Sequence, residues 1–245
     1  MNTIKSLRND LERLKVDPSG ILMVHVSYKA IGETEGRGDA VLDCLSQYME
    51  NGLFLMGGHT YENVNDEHPV MDARNTPVCV GVLPELFRRR PGVRRSLHPT
   101  HSICGLGRHA AEFLTGDHLA DTPCGLKTAW RRLYEQKAQI LLIGVRFDRN
   151  TFIHGIEEWY NIPGRVADEP KPYYVIDFDG VTHFTPQRRH CYGQPSKLFE
   201  SENAMLAAGA ATEGKFGNAA CFLCDAKKLS DTWGEILAKD PDCWK

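Results

Sequence analysis

The chain is predicted to fold as an α/β protein, a single layered α/β/α domain over residues 1–245 with a mixed central sheet and a C-terminal antiparallel hairpin. Three observations predict it. Short apolar runs alternate with amphipathic stretches through the first 145 residues, the pattern of strands joined by helices. Two later runs flank Asp179-Gly180, a strong hairpin signal that adds antiparallel strands to a parallel core. At 245 residues the chain is long enough for one domain with a full core.

Taken in order, residues 2–15 place Ile4, Leu7, Leu11 and Leu14 at helical spacing among charges. Residues 21–27 are an apolar strand running into a Gly32 turn. Residues 38–50 carry Val41, Leu42, Leu45 and Tyr48 on one helical face. A second strand covers 52–56, and a polar loop from Gly57 to Pro77 follows it. A short helix over 83–90 stops at Pro91-Gly92. Helices over 108–114 and 127–136 precede the apolar strand 139–145, which ends at Gly144. The hairpin spans 173–178 and 181–184. A helix over 197–208, a strand over 218–225 and a helix over 231–238 complete the chain.

Hydrophobic residues at 42% and charged residues at 25% are those of an ordinary water-soluble domain. A net charge of −3 argues against a nucleic-acid partner, which asks for a basic face. No apolar run approaches the length of a membrane span, so no membrane partner is expected. No secretory signal opens the chain, so a cytoplasmic location is expected and the eight cysteines read as reduced thiols. Cys221-Phe222-Leu223-Cys224 lies in a predicted strand, where residues three apart face opposite ways. With no second such pair to complete a four-ligand set, it is not read as a zinc knuckle.

Three stretches carry candidate chemistry. Asn150-Thr151-Phe152-Ile153-His154-Gly155-Ile156-Glu157 follows a strand end and opens a predicted helix. His154 and Glu157, three apart, share one face of it. A carboxylate beside an imidazole fixes its tautomer and raises its basicity, as a general base requires; a capping or packing histidine is the plain alternative. Arg94 to Ser102, stiffened by Pro99, reads as an ordered loop whose Arg and Ser donors suit an anion. The loop 61–72, with Glu62, Asp66 and Asp72, suits a cationic ligand, or is simply solvated. Gly105-Leu106-Gly107 with Ala110 fits a dinucleotide fingerprint only loosely and reads better as a tight strand-to-helix turn. His98, His101, His154 and Glu157 also make a candidate metal set, which would imply a metal-dependent hydrolase, although Pro99 removes the helical placement such ligands favour.

Taken together, these stretches resemble the aminoglycoside 3-N-acetyltransferase family. The likeness rests on His25-Val26-Ser27-Tyr28 with Gly32, on Arg95-Ser96-Leu97-His98-Pro99 with Ser102, and on Thr151-x-x-His154-x-x-Glu157 after Gly144-Val145. The resemblance implies acetyl transfer from acetyl-coenzyme A to an amine, typically the 3-amino group of a 2-deoxystreptamine antibiotic, and with it antibiotic resistance. It implies that His154 is the catalytic base and Glu157 its partner, with no metal. It implies that Ser27, Tyr28, Lys29 and Gly32, with Arg95, Ser96 and Ser102, hold the donor's pantetheine and phosphates. Glu62, Asp66, Asp72 and Thr151 are the expected acceptor contacts, and a homodimer is the candidate assembly. Gly57-Gly58, residues 125–129 and the acidic loop depart from the family pattern around the acceptor side. That leaves open an N-acyltransferase of the same fold acting on a non-antibiotic amine.

Overall fold

The computed structural model describes residues 1–191 and 196–243. Helix α1 (Ile4–Leu14) starts at Thr3, whose side chain accepts from the Ser6 N–H, and leads to β1 (Ile21–Val26). The one-turn helix α2 (Tyr28–Ile31) and helix α3 (Arg37–Tyr48) connect it to β2 (Leu53–Gly57). Then come β3 (Val70–Asp72), α4 (Val82–Arg88), β4 (Arg94–Arg95), β5 (Ile103–Gly107), α5 (Ala110–Phe113) and α6 (Ala129–Glu135). Strand β6 (Gln139–Ile143) leads into α7 (Thr151–Trp159), which is followed by β7 (Tyr174–Ile176) and β8 (Thr182–Phe184). Helix α8 (Ser196–Ala207), β9 (Ala211–Phe216), β10 (Ala219–Asp225) and α9 (Ala226–Lys239) end the described fold.

Seven strands form the main sheet in the order β4-β5-β2-β1-β6-β10-β9. The centre is parallel, with β1 between β2 and β6; the flanks β5 and β10 are antiparallel to their inner neighbours. Period-two alternation sends successive side chains to opposite faces. Met23, Leu55, Ile140, Leu142 and Phe222 join Trp130, Phe152 and Trp233 in one core cluster, beneath α5, α6, α7 and α9. Leu22, Val24, Phe54, Leu141 and Leu223 join Leu7, Leu45 and Phe87 in the other, beneath α1, α3 and α4. Both faces of the central strands are therefore covered, which is why they read as unbroken apolar runs. Cys221 and Cys224 fall in opposite clusters, as the strand reading of that pair required.

Most predicted elements are present with shifted ends, and four differences are informative. The predicted hairpin forms, but β7 and β8 join β3 in a separate three-stranded sheet, not the main one. The polar loop after β2 thus contains a strand that gains its partner from about a hundred residues away. Strand β9 was not anticipated: four of its six residues are exposed and polar or glycine, the mark of an edge strand. Paired with β10, it supplies an antiparallel hairpin at the C-terminal end of the main sheet. Gly105 and Gly107 are not a strand-to-helix turn: β5 runs through both, antiparallel to β2, which removes the parallel unit a dinucleotide site needs. Helix α9 begins five residues before the predicted start, because Asp225 caps it by accepting from the Lys228 N–H at 3.0 Å. Gly144, at the predicted strand end, has φ +62, and an added Cβ would lie 2.2 Å from that of Ala30. Glycine there lets the chain turn away from β6 while α2 packs close by.

Candidate active site

The chain leaves β1 for α3 on one face of the sheet and β6 for α7 on the other, so a crevice opens at the carboxyl ends of these parallel strands. A cavity of about 550 Å³ occupies that position. Its walls include Val24, His25 and Val26 of β1, Gly57 at the end of β2, and Val145 and Arg149 beyond β6.

Helix α7 brings the first pair of groups to it. Asn150 is 1% exposed and starts the helix by accepting from the Phe152 N–H at 3.3 Å. One turn on, His154 Nδ1 lies 3.1 Å from Glu157 Oε2. The imidazole is about one-third exposed to the cavity, whereas the carboxylate is buried. Glu157 also contacts the buried Arg165 guanidinium at 2.6 Å. Burial pushes the Glu157 carboxyl up, but the His154 hydrogen bond and the charges of His154 and Arg165 outweigh it and hold the group below its ordinary value. Glu157 is therefore an anion at neutral pH. In the uncharged form of the ring, this contact makes Nδ1 the protonated nitrogen and leaves Nε2 with the lone pair.

The next residue of the helix builds a second pair. Glu158 accepts from the Cys124 N–H at 2.9 Å and hydrogen-bonds His190 Nε2. Burial pushes its carboxyl up to about 7, against the opposing pull of Thr122 and the Cys124 amide. The His190 ring meets the His154 ring edge-on at 5.6 Å. His190, Arg189 and Arg165 reach the cavity on one antiparallel arm. The pairs Lys171↔Gln187 and Val166↔His190 continue the β7–β8 hairpin inward, and the Cys191 N–H donates to the Arg165 carbonyl at 2.8 Å.

Histidines furnish much of the remaining lining. His25 and His59 are pushed down to about 4 and about 3, and His101 well below its ordinary value, in each case chiefly by burial. They are neutral, ring-shaped walls at physiological pH, and Trp130 stacks under His25 while donating its Nε1–H to the His101 carbonyl. Thr151 Oγ1 lies 3.2 Å from His59 Nε2.

The structure brings His154, Glu157, Thr151, Glu62 and His101 together at the cavity. Ser27, Tyr28, Lys29 and Gly32 lie just beyond the Val26 wall, not on it. Arg95, Ser96 and Ser102 require correction as phosphate ligands, because all three are buried away from the cavity. Arg95 donates to Ser102 Oγ, to the Thr76 carbonyl and to the Gly58 carbonyl. Ser102 also donates to the Gly58 carbonyl, and Ser96 Oγ accepts from the Ile103 N–H. An added Cβ at Gly58 would lie 2.7 Å from Ser102 Oγ, so glycine permits this clasp on the end of β2. Asp66 and Asp72 are likewise absent from the cavity lining. Asp66 accepts from the Tyr173 hydroxyl, and Asp72 closes the turn after β3 by accepting from the Arg74 and Asn75 N–H groups.

The metal set of His98, His101, His154 and Glu157 also fails on geometry. His98 Nδ1 accepts the Thr100 and His101 N–H groups at 3.2 and 3.0 Å, so Nε2 holds the proton and donates to the Thr122 carbonyl. Neither ring nitrogen is free for a metal. Among the described residues, Cys124, Glu158 and His190 bring candidate ligand atoms within 4.8 Å of one another. Burial holds the Cys124 thiol well above its ordinary value, and Glu158 and His190 already bond each other.

Sequence reasoning missed His59, Glu158, Arg165, Arg189 and His190. Glu158 was hidden by its neighbour. The arm residues had only a partial signal: counting pairs outward from Asp179-Gly180 through Ile176↔Thr182 reaches Lys171↔Gln187, but Val166↔His190 is offset from that register by two residues.

A model of the family described as aminoglycoside 3-N-acetyltransferase matches residues 23–238. The aminoglycoside N(3)-acetyltransferase III of Serratia marcescens is 30% identical to this chain, covering 94% of each. The SPbeta prophage-derived aminoglycoside N(3')-acetyltransferase-like protein YokD of Bacillus subtilis is 25% identical, over 94% of this chain and 92% of its own. Its crystal structure superposes with a TM-score of 0.84, covering 98% of this chain and 94% of that one. The structure of AAC-IIIb in a binary complex with CoASH shares the fold at 24% identity and a TM-score of 0.82, covering 97% and 96%.

Proposed function

Because the chain belongs to the aminoglycoside 3-N-acetyltransferase family, we propose that it transfers the acetyl group of acetyl-coenzyme A to an amine, with His154 as general base and Glu157 as its orienting partner. The observation that carries this reading is the 3.1 Å His154–Glu157 hydrogen bond at the edge of the cavity. The reference acceptor is the 3-amino group of a 2-deoxystreptamine aminoglycoside, the acceptor class that the family name gives.

The chemistry follows from the tautomer. The acceptor reaches the cavity as an ammonium and must lose one proton before its nitrogen has a lone pair to offer. That nitrogen attacks the thioester carbonyl carbon, the N–C bond forms, and the C–S bond breaks. His154 Nε2 takes the second nitrogen proton, while the Glu157 anion stabilises the resulting imidazolium through Nδ1. The thiolate leaves as coenzyme A and is reprotonated by the His154 imidazolium, while the proton first lost by the ammonium goes to solvent. Direct attack within a ternary complex needs no covalent enzyme intermediate. The turn 27–32, just past the β1 wall, is read as the donor side. The Glu62 and Arg189 side is read as the acceptor side. Among the described residues no helix is long and apolar enough to cross a membrane, which suits an enzyme of the cytoplasm.

A thiol-release assay with acetyl-coenzyme A, run against aminoglycosides and simpler amines, tests donor, reaction and acceptor together. Acceptor-dependent thiol release is expected, with stoichiometric N-acetylated product. Failure of coenzyme A to bind at millimolar concentration in calorimetry would sink the transferase reading. Stoichiometric zinc in purified protein, with activity lost to chelators, would replace it by the hydrolase reading.

A further inference from the structure

A polycationic acceptor needs a cavity with an excess of carboxylates, since each ammonium taken out of water requires an anionic partner. The lining here is balanced: Glu62, Asp148 and Glu157 face Arg149, Arg165 and Arg189. Two of the three carboxylates are already committed, Glu157 to His154 and Arg165, and Asp148 to Arg149 at 3.2 Å. Only Glu62, among the described lining carboxylates, has no ion pair. The five histidines of the lining add no anion. Arg189, by contrast, is about one-third exposed at the cavity. Its contact to Asp66 is loose, at 3.5 Å, and Asp66 also serves Tyr173 and Lys171. Arg189 is the residue before His190, whose ring touches that of His154. A guanidinium and the proposed base therefore line the same cavity. Size points the same way, because about 550 Å³ must hold the acetyl-pantetheine end of the donor as well as the acceptor.

We propose that the acceptor is a small monoamine carrying an anionic oxygen group, carboxylate or phosphate, which Arg189 binds while the amine meets His154. The inference rests on the acetyl-transfer reading and narrows it to one acceptor class. Glu62 then faces the ammonium before it is deprotonated, and the guanidinium fork takes two anionic oxygens at once.

The test compares kcat/KM for γ-aminobutyrate, glucosaminate and O-phosphoethanolamine with that for the amide of γ-aminobutyrate, for spermidine and for gentamicin, using acetyl-coenzyme A and thiol release. At least one anionic monoamine is expected to exceed its uncharged counterpart and the polycations by roughly ten- to hundredfold, the worth of a charge-assisted hydrogen bond. The carboxylate and phosphate arms identify which anion is preferred. Arg189→Gln should remove that preference by raising KM for the anionic acceptor, with kcat held, while Arg189→Lys restores part of it. Coenzyme A affinity, measured by calorimetry, should be the same in all three proteins. Gentamicin or the amide turned over better than every anionic monoamine would overturn the inference and leave acetyl transfer standing. So would coenzyme A binding with no turnover of any anionic monoamine, or an Arg189→Gln enzyme that keeps the preference. Absence of coenzyme A binding overturns the transferase reading itself, and the inference with it.

Discussion

Glu157 occupies the Nδ1 side of His154, so the two residues act as a unit and their variants should behave as one. His154→Ala is expected to lower kcat by roughly a hundred- to ten-thousandfold, the usual contribution of a general base. Coenzyme A affinity in calorimetry should be unchanged, and near-normal turnover would show that another group takes the proton. Glu157→Gln keeps the shape but removes the anion; a loss of roughly ten- to hundredfold in kcat/KM is expected, as for other orienting partners of histidine. The acid limb of its pH–rate profile should move to lower pH, because the imidazolium loses its counter-ion. An unmoved limb would separate Glu157 from the proton transfer. The double variant should be no slower than His154→Ala alone. This pair was readable from three-residue spacing before a helix, because the local periodicity of one element places both side chains. Arg165, Arg189 and His190 were not, since their arrival depends on a hairpin ladder closed far from its own turn.

The Arg94–Ser102 segment shows how an element's chemistry differs from its composition. Arginine and serines in an ordered loop suggested anion binding, but the donors of Arg95 end on the Gly58 and Thr76 carbonyls and on Ser102. Its work is to tie the end of β2 to the loop that carries His98 and His101. Arg95→Met takes the donor from Ser102 Oγ and the Thr76 carbonyl, and one of two donors from the Gly58 carbonyl, and should destabilise the fold by about 2–4 kcal/mol, read as a lowered midpoint in urea. Coenzyme A affinity of the folded variant should be unchanged; a tenfold loss would restore Arg95 to the donor site. Among strands, those buried on both faces were legible as apolar runs. Strand β3 and strand β9 were not, because one gains its partner across about a hundred residues and the other shows its polar residues to water.

At the scale of the molecule, buried titratable groups set the response to acid. His25, His59, His98, His101 and His190 are all held below their ordinary value by burial. They stay neutral in the fold and take up protons on unfolding once the pH drops below the ordinary histidine value of about 6.5. Stability from them is therefore present above that pH and lost as pH falls through it. Glu158 and Asp117 act in the opposite sense. Burial raises them to about 7 and about 6, so the fold holds their protons and gains stability as pH falls toward the ordinary carboxyl range. His118 is lowered and Glu202 raised in the same ways, which leaves six histidines against three carboxyls and the histidines dominant; each net proton is worth about 1.4 kcal/mol per pH unit. The thermal midpoint should fall steeply between pH 6.5 and pH 5; a flat or rising midpoint would contradict the buried neutral histidines. Glu158→Gln should raise the midpoint more at pH 8 than at pH 5, because the variant never has to ionise in its buried site. The outermost strand bears on a different hazard of such acid excursions, the growth of ordered aggregates. With Glu213 and Lys215 exposed along β9, a second chain extending the sheet there would have to desolvate both charges, so the border of the sheet is a poor seed for fibrils.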